Sequence, residues 1–214
     1  MYSILSGTAT DVSMLIDYLP TFLFPNDDQK FEGWGVLGVS LGGHAVWCCL
    51  NQGICSSDEV NIDERIKWGC AIIGCPSYIE LMEHRLLQSK KVLRNTPSSA
   101  TNYNISRRVV GQVRLQQLVQ PPHLPTSFIK VLERNDPGTQ LLLTGNLPSP
   151  LKEKSILVLS GKADRVVPWR ASAEFISLLQ QQCHKLDVRV YDDVGHEYTP
   201  EMKEYFCHWV SQFL

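Results

Sequence analysis

The amino-acid sequence predicts an α/β fold, a mostly parallel sheet of about four strands with helices on both faces. Three observations carry this. Four short runs, "WGVLGV", "IKWGCAIIG", "SILVLSG" and "LDVRVYDDV", are rich in apolar and β-branched residues. The first is apolar throughout, the pattern of a strand covered on both sides in a parallel sheet. Segments with apolar residues at helical spacing lie between the runs, and strands alternating with helices call for crossover connections. At 214 residues the chain is long enough for one well-buried core and short for two, so 1–214 is expected to form a single domain.

Val12, Leu15, Ile16 and Leu19 recur at helical spacing, with Asp11 in the first turn and Pro20 ending the run, so the chain opens on an amphipathic helix. "WGVLGV" (Trp34–Val39) is the first strand, and "LGGHAVWCCLNQG" follows as a helix closed by Gly53. The second strand is "IKWGCAIIG". Ser77 with Glu80 then makes a capping box that opens a helix through "YIELMEHRLLQ", and "SFIKVLERN" is a further helix. Between these two helices, 95–120 is polar, poorly periodic and rich in turn formers, as in a disordered loop. "SILVLSG", the helix "RASAEFISLLQQQC" and "LDVRVYDDV" complete the alternation. Thr199 as cap and Pro200 at the first helical position start a last helix, with Met202, Tyr205, Phe206, Trp209, Val210 and Phe213 on its apolar face.

The composition is ordinary, 43% hydrophobic and 20% charged with a formal net charge of -2, and gives no electrostatic reason to expect nucleic acid or an anionic membrane surface. The densest basic cluster, "SKKVLR", reads as a solvated helix end. No apolar run is long enough to cross a bilayer, and the first residues carry no secretory signal. The seven cysteines include no C-x-x-C pair and are expected as reduced, mostly buried thiols of a cytoplasmic protein. The glycosylation sequon at Asn104 is therefore expected to be silent.

Gly38-Val39-Ser40-Leu41-Gly42 fits G-x-S-x-G between a buried strand and a helix, the setting of a nucleophile elbow. The turn would force the serine into a strained backbone conformation, with side chains excluded at either glycine, and would expose its Oγ near a helix N-terminus. An ordinary helix cap is the competing reading of Ser40. A serine hydroxyl needs a base, and the base an orienting acid. In an open α/β sheet these come from loops at the carboxyl ends of later strands. Asp164 stands just beyond the third strand and His196 just beyond the fourth. The competing reading of Asp164 is that it bonds amides of the turn before Val166, Asp192 and Asp193 are rival acids, and His196 also suits a surface turn. His44, one helical turn after Ser40, fits either a pocket wall or a hydrogen bond to a neighbouring loop. "HE" at His196–Glu197 lacks the second histidine of a zinc-protease helix, so no metal is expected.

Through "GVSLGGH", "GKADRVVPW" and "GHEYTPEM" the chain resembles α/β-hydrolases of the esterase and prolyl-oligopeptidase-like (peptidase S9-like) group, close to small fungal hydrolases, over 2–94 and 121–214. The resemblance implies a serine hydrolase of an ester, thioester or small amide, or an acyltransferase, with Ser40 as nucleophile, His196 as base and Asp164 as acid. It makes the Leu41 N–H one half of the oxyanion hole, and it implies a small-molecule acyl substrate and no cofactor. It also implies that 75–151 is a helical lid insertion whose Tyr78, Leu81, Met82, Leu86 and Phe128 shape an acyl pocket or simply pack the core.

Against that pattern the chain lacks the strands that usually precede the nucleophile, and nothing in 1–33 resembles the HGGG-type element that gives the second oxyanion N–H. Losing one such donor costs roughly 10²–10³ in turnover. The late start and the 95–120 stretch imply a gene prediction that begins at an internal methionine and retains an intervening sequence. The first strand is expected to leave an apolar edge open to pairing with another chain, so a non-catalytic binding or assembly module is the alternative.

Overall fold

The computed structural model describes residues 1–26, 31–51, 53–56, 59–62, 64–91, 125–146, 148–183 and 185–214. The 95–120 stretch, and with it Asn104, lies outside these residues. Their core is a four-stranded, all-parallel sheet of β1 (Trp34–Val39), β4 (Ile66–Ile72), β5 (Ser155–Gly161) and β6 (Leu186–Tyr191), in the order β1-β4-β5-β6. The helices are α1 (Tyr2–Leu23), α2 (Leu41–Asn51), α3 (Tyr78–Lys91), α4 (Thr126–Asn135), α5 (Pro137–Thr144), α6 (Arg170–Gln180) and α7 (Pro200–Val210). A short antiparallel hairpin, β2 (Gly53–Ser56) with β3 (Glu59–Ile62), links α2 to β4.

Alternation along β5 shows how the sheet is covered. All seven of its residues are buried. Ile156 and Val158 belong to a large cluster with residues of α1, α2, α4 and α6, including Leu50, Leu132 and Leu179. Leu157 and Leu159 point the other way, into a second cluster with Cys70, Ile72 and, from α7, Met202 and Trp209. Successive residues of a strand face opposite sides, so a strand with apolar residues at every position needs cover on both. The caps expected from sequence are in place: Ser77 Oγ accepts from Glu80 N (3.2 Å) and Thr199 Oγ1 from Met202 N (3.3 Å).

Several expectations need correction. α1 starts at Tyr2 and runs through Pro20 to Leu23. A proline this near the end removes only the hydrogen bond to the Ile16 carbonyl, and Phe24 N still donates to Pro20 O at 2.8 Å. The core-facing stripe of α1 is Tyr2, Leu5, Ala9, Val12 and Ile16, while Leu15 is exposed. Gly53 opens β2 instead of closing α2, and four-residue strands are too short to show a readable period. β1 is only partly covered: Trp34 and Val36 pack on the first cluster and Val39 on the second, while Leu37 is exposed. Of the described cysteines, Cys48, Cys49, Cys70, Cys75 and Cys183 are buried thiols, whereas Cys207 is exposed. Burial pushes the Cys48 and Cys75 thiols up to about 12, so both stay protonated and unreactive.

Asp136 joins three helices. It ends α4 and caps α5, where its Oδ2 accepts from Thr139 N (2.9 Å) and Thr139 Oγ1 (2.6 Å), while Oδ1 accepts from Tyr78 N (3.0 Å) at the start of α3. Burial outweighs these donors and pushes its carboxyl from 3.8 up to about 6. The folded state then holds this proton more tightly than the unfolded chain. The contribution is complete below the unfolded value and is lost as pH rises through about 6. Denaturant melts between pH 3 and 7 should therefore show a loss of about 3 kcal/mol that the Asp136→Asn variant lacks.

Candidate active site

Ser40 follows β1 at φ 54°, in the left-handed region that a residue with a Cβ enters only at a cost of about 1–2 kcal/mol. Its own amide donates to Ile72 O at 2.9 Å and its carbonyl accepts from His44 N at 3.0 Å, the first bond of α2. The turn is therefore clamped between the neighbouring strand and the helix that follows. Leu41 opens α2, so its N–H is one of the helix-start donors with no acceptor inside the helix, and the positive end of the dipole lies beside the Ser40 side chain.

The glycines divide the work differently from expectation. A Cβ on Gly38 would stand 2.2 Å from the Gly42 carbonyl, so that position must be bare. Gly42 itself has nothing within 4 Å of an added Cβ. The steric role belongs to Gly43, whose Cβ would meet Ile72 O at 2.6 Å and the Gly74 backbone at 3.0 Å. The helix axis thus passes directly over the end of β4, and the residue packed against it lies one position beyond the motif.

Three sequence-predicted side chains meet. Ser40 Oγ lies 2.7 Å from His196 Nε2, and His196 Nδ1 lies 2.7 Å from Asp164 Oδ2. The carboxylate can only accept, so Nδ1 carries the ring proton and Nε2 is free to accept from the serine hydroxyl. Asp164 is sealed, its side chain 0% exposed, whereas the His196 side chain is 23% exposed. The other oxygen of Asp164 accepts from Val166 N (2.8 Å) and Val167 N (2.9 Å), so the acid also bonds its turn, the competing reading for this residue. Of the rival acids, Asp192 pairs with Lys162 at 2.6 Å on the surface, which depresses its pKa, and Asp193 is exposed.

The remaining candidates lie deeper. His44 is buried and its Nδ1 accepts from Cys75 N at 2.8 Å. Burial, followed by Arg85 and His196, lowers its pKa and keeps it neutral. With Tyr2, Trp47, Tyr78 and Asp136 it lines a cavity of about 10 Å³, space for one water-sized sphere, which none of Ser40, Asp164 and His196 touches. Tyr78 packs edge-on against Tyr2 and Phe128, with centroids 5.2 and 5.6 Å away, and Leu81 and Met82 pack with Cys75, Val167 and Ala171 beside the Asp164 turn. Leu86 falls outside the described side chains. Two features escaped the sequence reading. One is the Gly43–Gly74 crossing. The other is Gly161, whose Cβ would lie 2.2 Å from Val194 O in the loop that carries His196. Its signal was the glycine at the very end of a buried strand.

The uneven glycines give a paired expectation. Gly42→Ala should fold normally. Gly43→Ala should lose about 1–3 kcal/mol or more in chemical denaturation, because its new methyl meets rigid backbone.

No protein-family model matches this chain. No curated protein matches it in sequence. Solved structures do match in shape. The Pyrococcus furiosus esterase Pf2001 superposes with TM-score 0.53 at 14% identity, over 95% of this chain and 61% of its own. The Pyrococcus horikoshii acylaminoacyl peptidase superposes with TM-score 0.51 at 15% identity, over 92% of this chain and 26% of its own. The chain thus spans about three fifths of the esterase's length. At these identities the likeness shows the fold, and the fold is that of the α/β-hydrolases.

Proposed function

We propose that the protein is a serine hydrolase that cleaves a carboxylic ester, thioester or small amide through an acyl-enzyme. The observation that carries this is the unbroken hydrogen-bonded succession Ser40–His196–Asp164, with both links at 2.7 Å. Ser40 Oγ attacks the carbonyl carbon while His196 Nε2 takes the hydroxyl proton. Asp164 keeps the other ring nitrogen protonated and faces the imidazolium that forms. The Leu41 N–H, at the start of α2, receives the oxyanion. As the tetrahedral intermediate collapses, His196 returns the proton to the leaving oxygen, sulfur or nitrogen. A water, or an alcohol in the acyl-transfer variant, then repeats the attack on the acyl-Ser40 ester and regenerates the serine. In this reading the helical segment between β4 and β5 is the lid. A fold shared with an esterase and an acylaminoacyl peptidase supports acyl chemistry.

A fluorophosphonate probe is the test. The wild-type protein should label at Ser40, Ser40→Ala should not label, and Asp164→Asn should react more slowly by on the order of 10⁴. Folded wild-type protein that stays unlabelled overturns the reading.

One observation favours a second reading, an assembly module. Ser40 N points to β4, so by alternation Gly35, Leu37 and Val39 turn their backbone groups to the open edge of β1. Leu37 is 44% exposed there, and the outer face of α1 also leaves Ile4, Leu15, Tyr18 and Phe22 exposed. An apolar edge without charge or proline invites pairing with a second copy. Light scattering should then show an inert oligomer that Leu37→Lys returns to monomer. A monomer that turns over esters rules this second reading out.

A further inference from the structure

We propose that His44 is a positioning residue for the nucleophile: by accepting the Cys75 N–H it holds a strained turn after β4 against the first turn of α2, and so sets the place of Ser40 relative to His196. This deepens the hydrolase reading and rests on Ser40 being the nucleophile.

Among the described residues, two other than glycine have positive φ, Ser40 at 54° and Ile73 at 45°. They are neighbours in space, because Ser40 N donates to the carbonyl of Ile72, the residue just before Ile73. A β-branched side chain in the left-handed region is a genuine outlier that persists only where the surroundings over-determine it. Three contacts do so here. Ile73 N donates to Leu159 O at 2.7 Å across the sheet. Gly74 lies so close to Gly43 that a Cβ on it would stand 2.4 Å from the Gly43 carbonyl carbon. Cys75 N then donates to His44 Nδ1 at 2.8 Å, one helical turn along α2 from Ser40.

His44 Nδ1 also lies 3.0 Å from Cys75 O, which raises the question of which group donates. The amide hydrogen is fixed to the backbone and points at Nδ1, and a ring proton there would face it head-on. Nδ1 is therefore the acceptor and the proton sits on Nε2. The Cys75 thiol fastens the far side of the same turn, with Sγ 3.2 Å from Ser77 O and 3.5 Å from Ala171 O and its one proton shared between the two carbonyls. The turn is thus held from both sides, and on the Ser40 side the holder is an imidazole. Ser40 takes its height from Ile72 O, so a turn that slides at Ile73 carries the nucleophile with it.

The experiment compares His44→Leu, His44→Gln and His44→Asn with the wild type, reading three quantities. These are the fluorophosphonate labelling rate, the kcat and KM for an activated ester, and hydrogen exchange at the Cys75 amide. Asn places an acceptor where Nδ1 stands, Gln places one further out, and Leu offers none. His44→Leu and His44→Gln should label about 10–100-fold more slowly, with kcat reduced and KM little changed, and should lose protection at Cys75. His44→Asn should recover both. Unchanged Cys75 exchange in the Gln variant overturns the proposal, as does lost protection with unchanged labelling, which would make the bond merely structural. A wild type that does not label removes the hydrolase reading and the positioning role with it, while Cys75 exchange still reports whether the bond exists.

Discussion

The site depends on one spatial constraint: a loop that begins at β6 has to deliver an imidazole to β1, three strands away. Val39, Ile72, Leu159 and Arg189 are register partners in a row across the sheet, and adjacent strands stand about 4.8 Å apart, so the loop travels about 14 Å along the carboxyl edge. The end of β5 lies in its path. Lys162 N donates to Tyr191 O at 2.8 Å and Ala163 N to Val194 O at 3.0 Å, which zips the Asp164 turn to the incoming loop. At the crossing Gly161 has no side chain, and any Cβ there would press on Val194 O. Asp164 and His196 are therefore set as one unit, and the hydrogen bond between them follows from backbone contacts made one to five residues away.

Ser40 is placed by a second crossing, and that one is strained. Ser40 and Ile73 each hold a left-handed conformation worth about 1–3 kcal/mol of strain. Ile72, Leu157 and Leu159 lie directly beneath, each 0% exposed, and burying one such side chain contributes roughly 1.5–3 kcal/mol. A core packed on both faces of β5 thus outweighs the two strained turns. The conformation that exposes Ser40 Oγ is accordingly a property of the whole sheet, and five residues could not hold it alone.

How much of this was legible in the sequence varied with range. The strand runs, the caps at Ser77 and Thr199 and the three residues that meet, Ser40, Asp164 and His196, were legible, because each is announced within a few positions of itself. Features set by contact between distant segments were not. The motif singles out Gly42, yet the glycine that the fold compresses is Gly43, because its neighbour is Ile72 some thirty positions on. Leu15 and Ile16 look alike as members of the apolar pattern, and only the position of α2 decides that Ile16 faces inward. Pro20 reads as a stop, but near the end of a helix it removes a single hydrogen bond and the last turn survives. Nothing near Asp136 in the sequence announces the three donors from two helix starts that converge on it.

The two readings of Asp164 that compete in the sequence are one geometry in the structure. Oδ1 takes the Val166 and Val167 amides, which fixes the carboxylate plane, and this leaves Oδ2 presented to His196. A carboxylate free to rotate would offer the imidazole either oxygen in any orientation. One already committed to its turn offers a single lone pair in a fixed direction, and the histidine tautomer follows from that. The contrast in exposure completes the effect. Asp164 is sealed and the imidazole partly wet, so in the proposed reaction a positive charge on His196 would face a carboxylate that water does not screen. The turn that a structural reading assigns to Asp164 is thus what makes the carboxylate suited to orient a base.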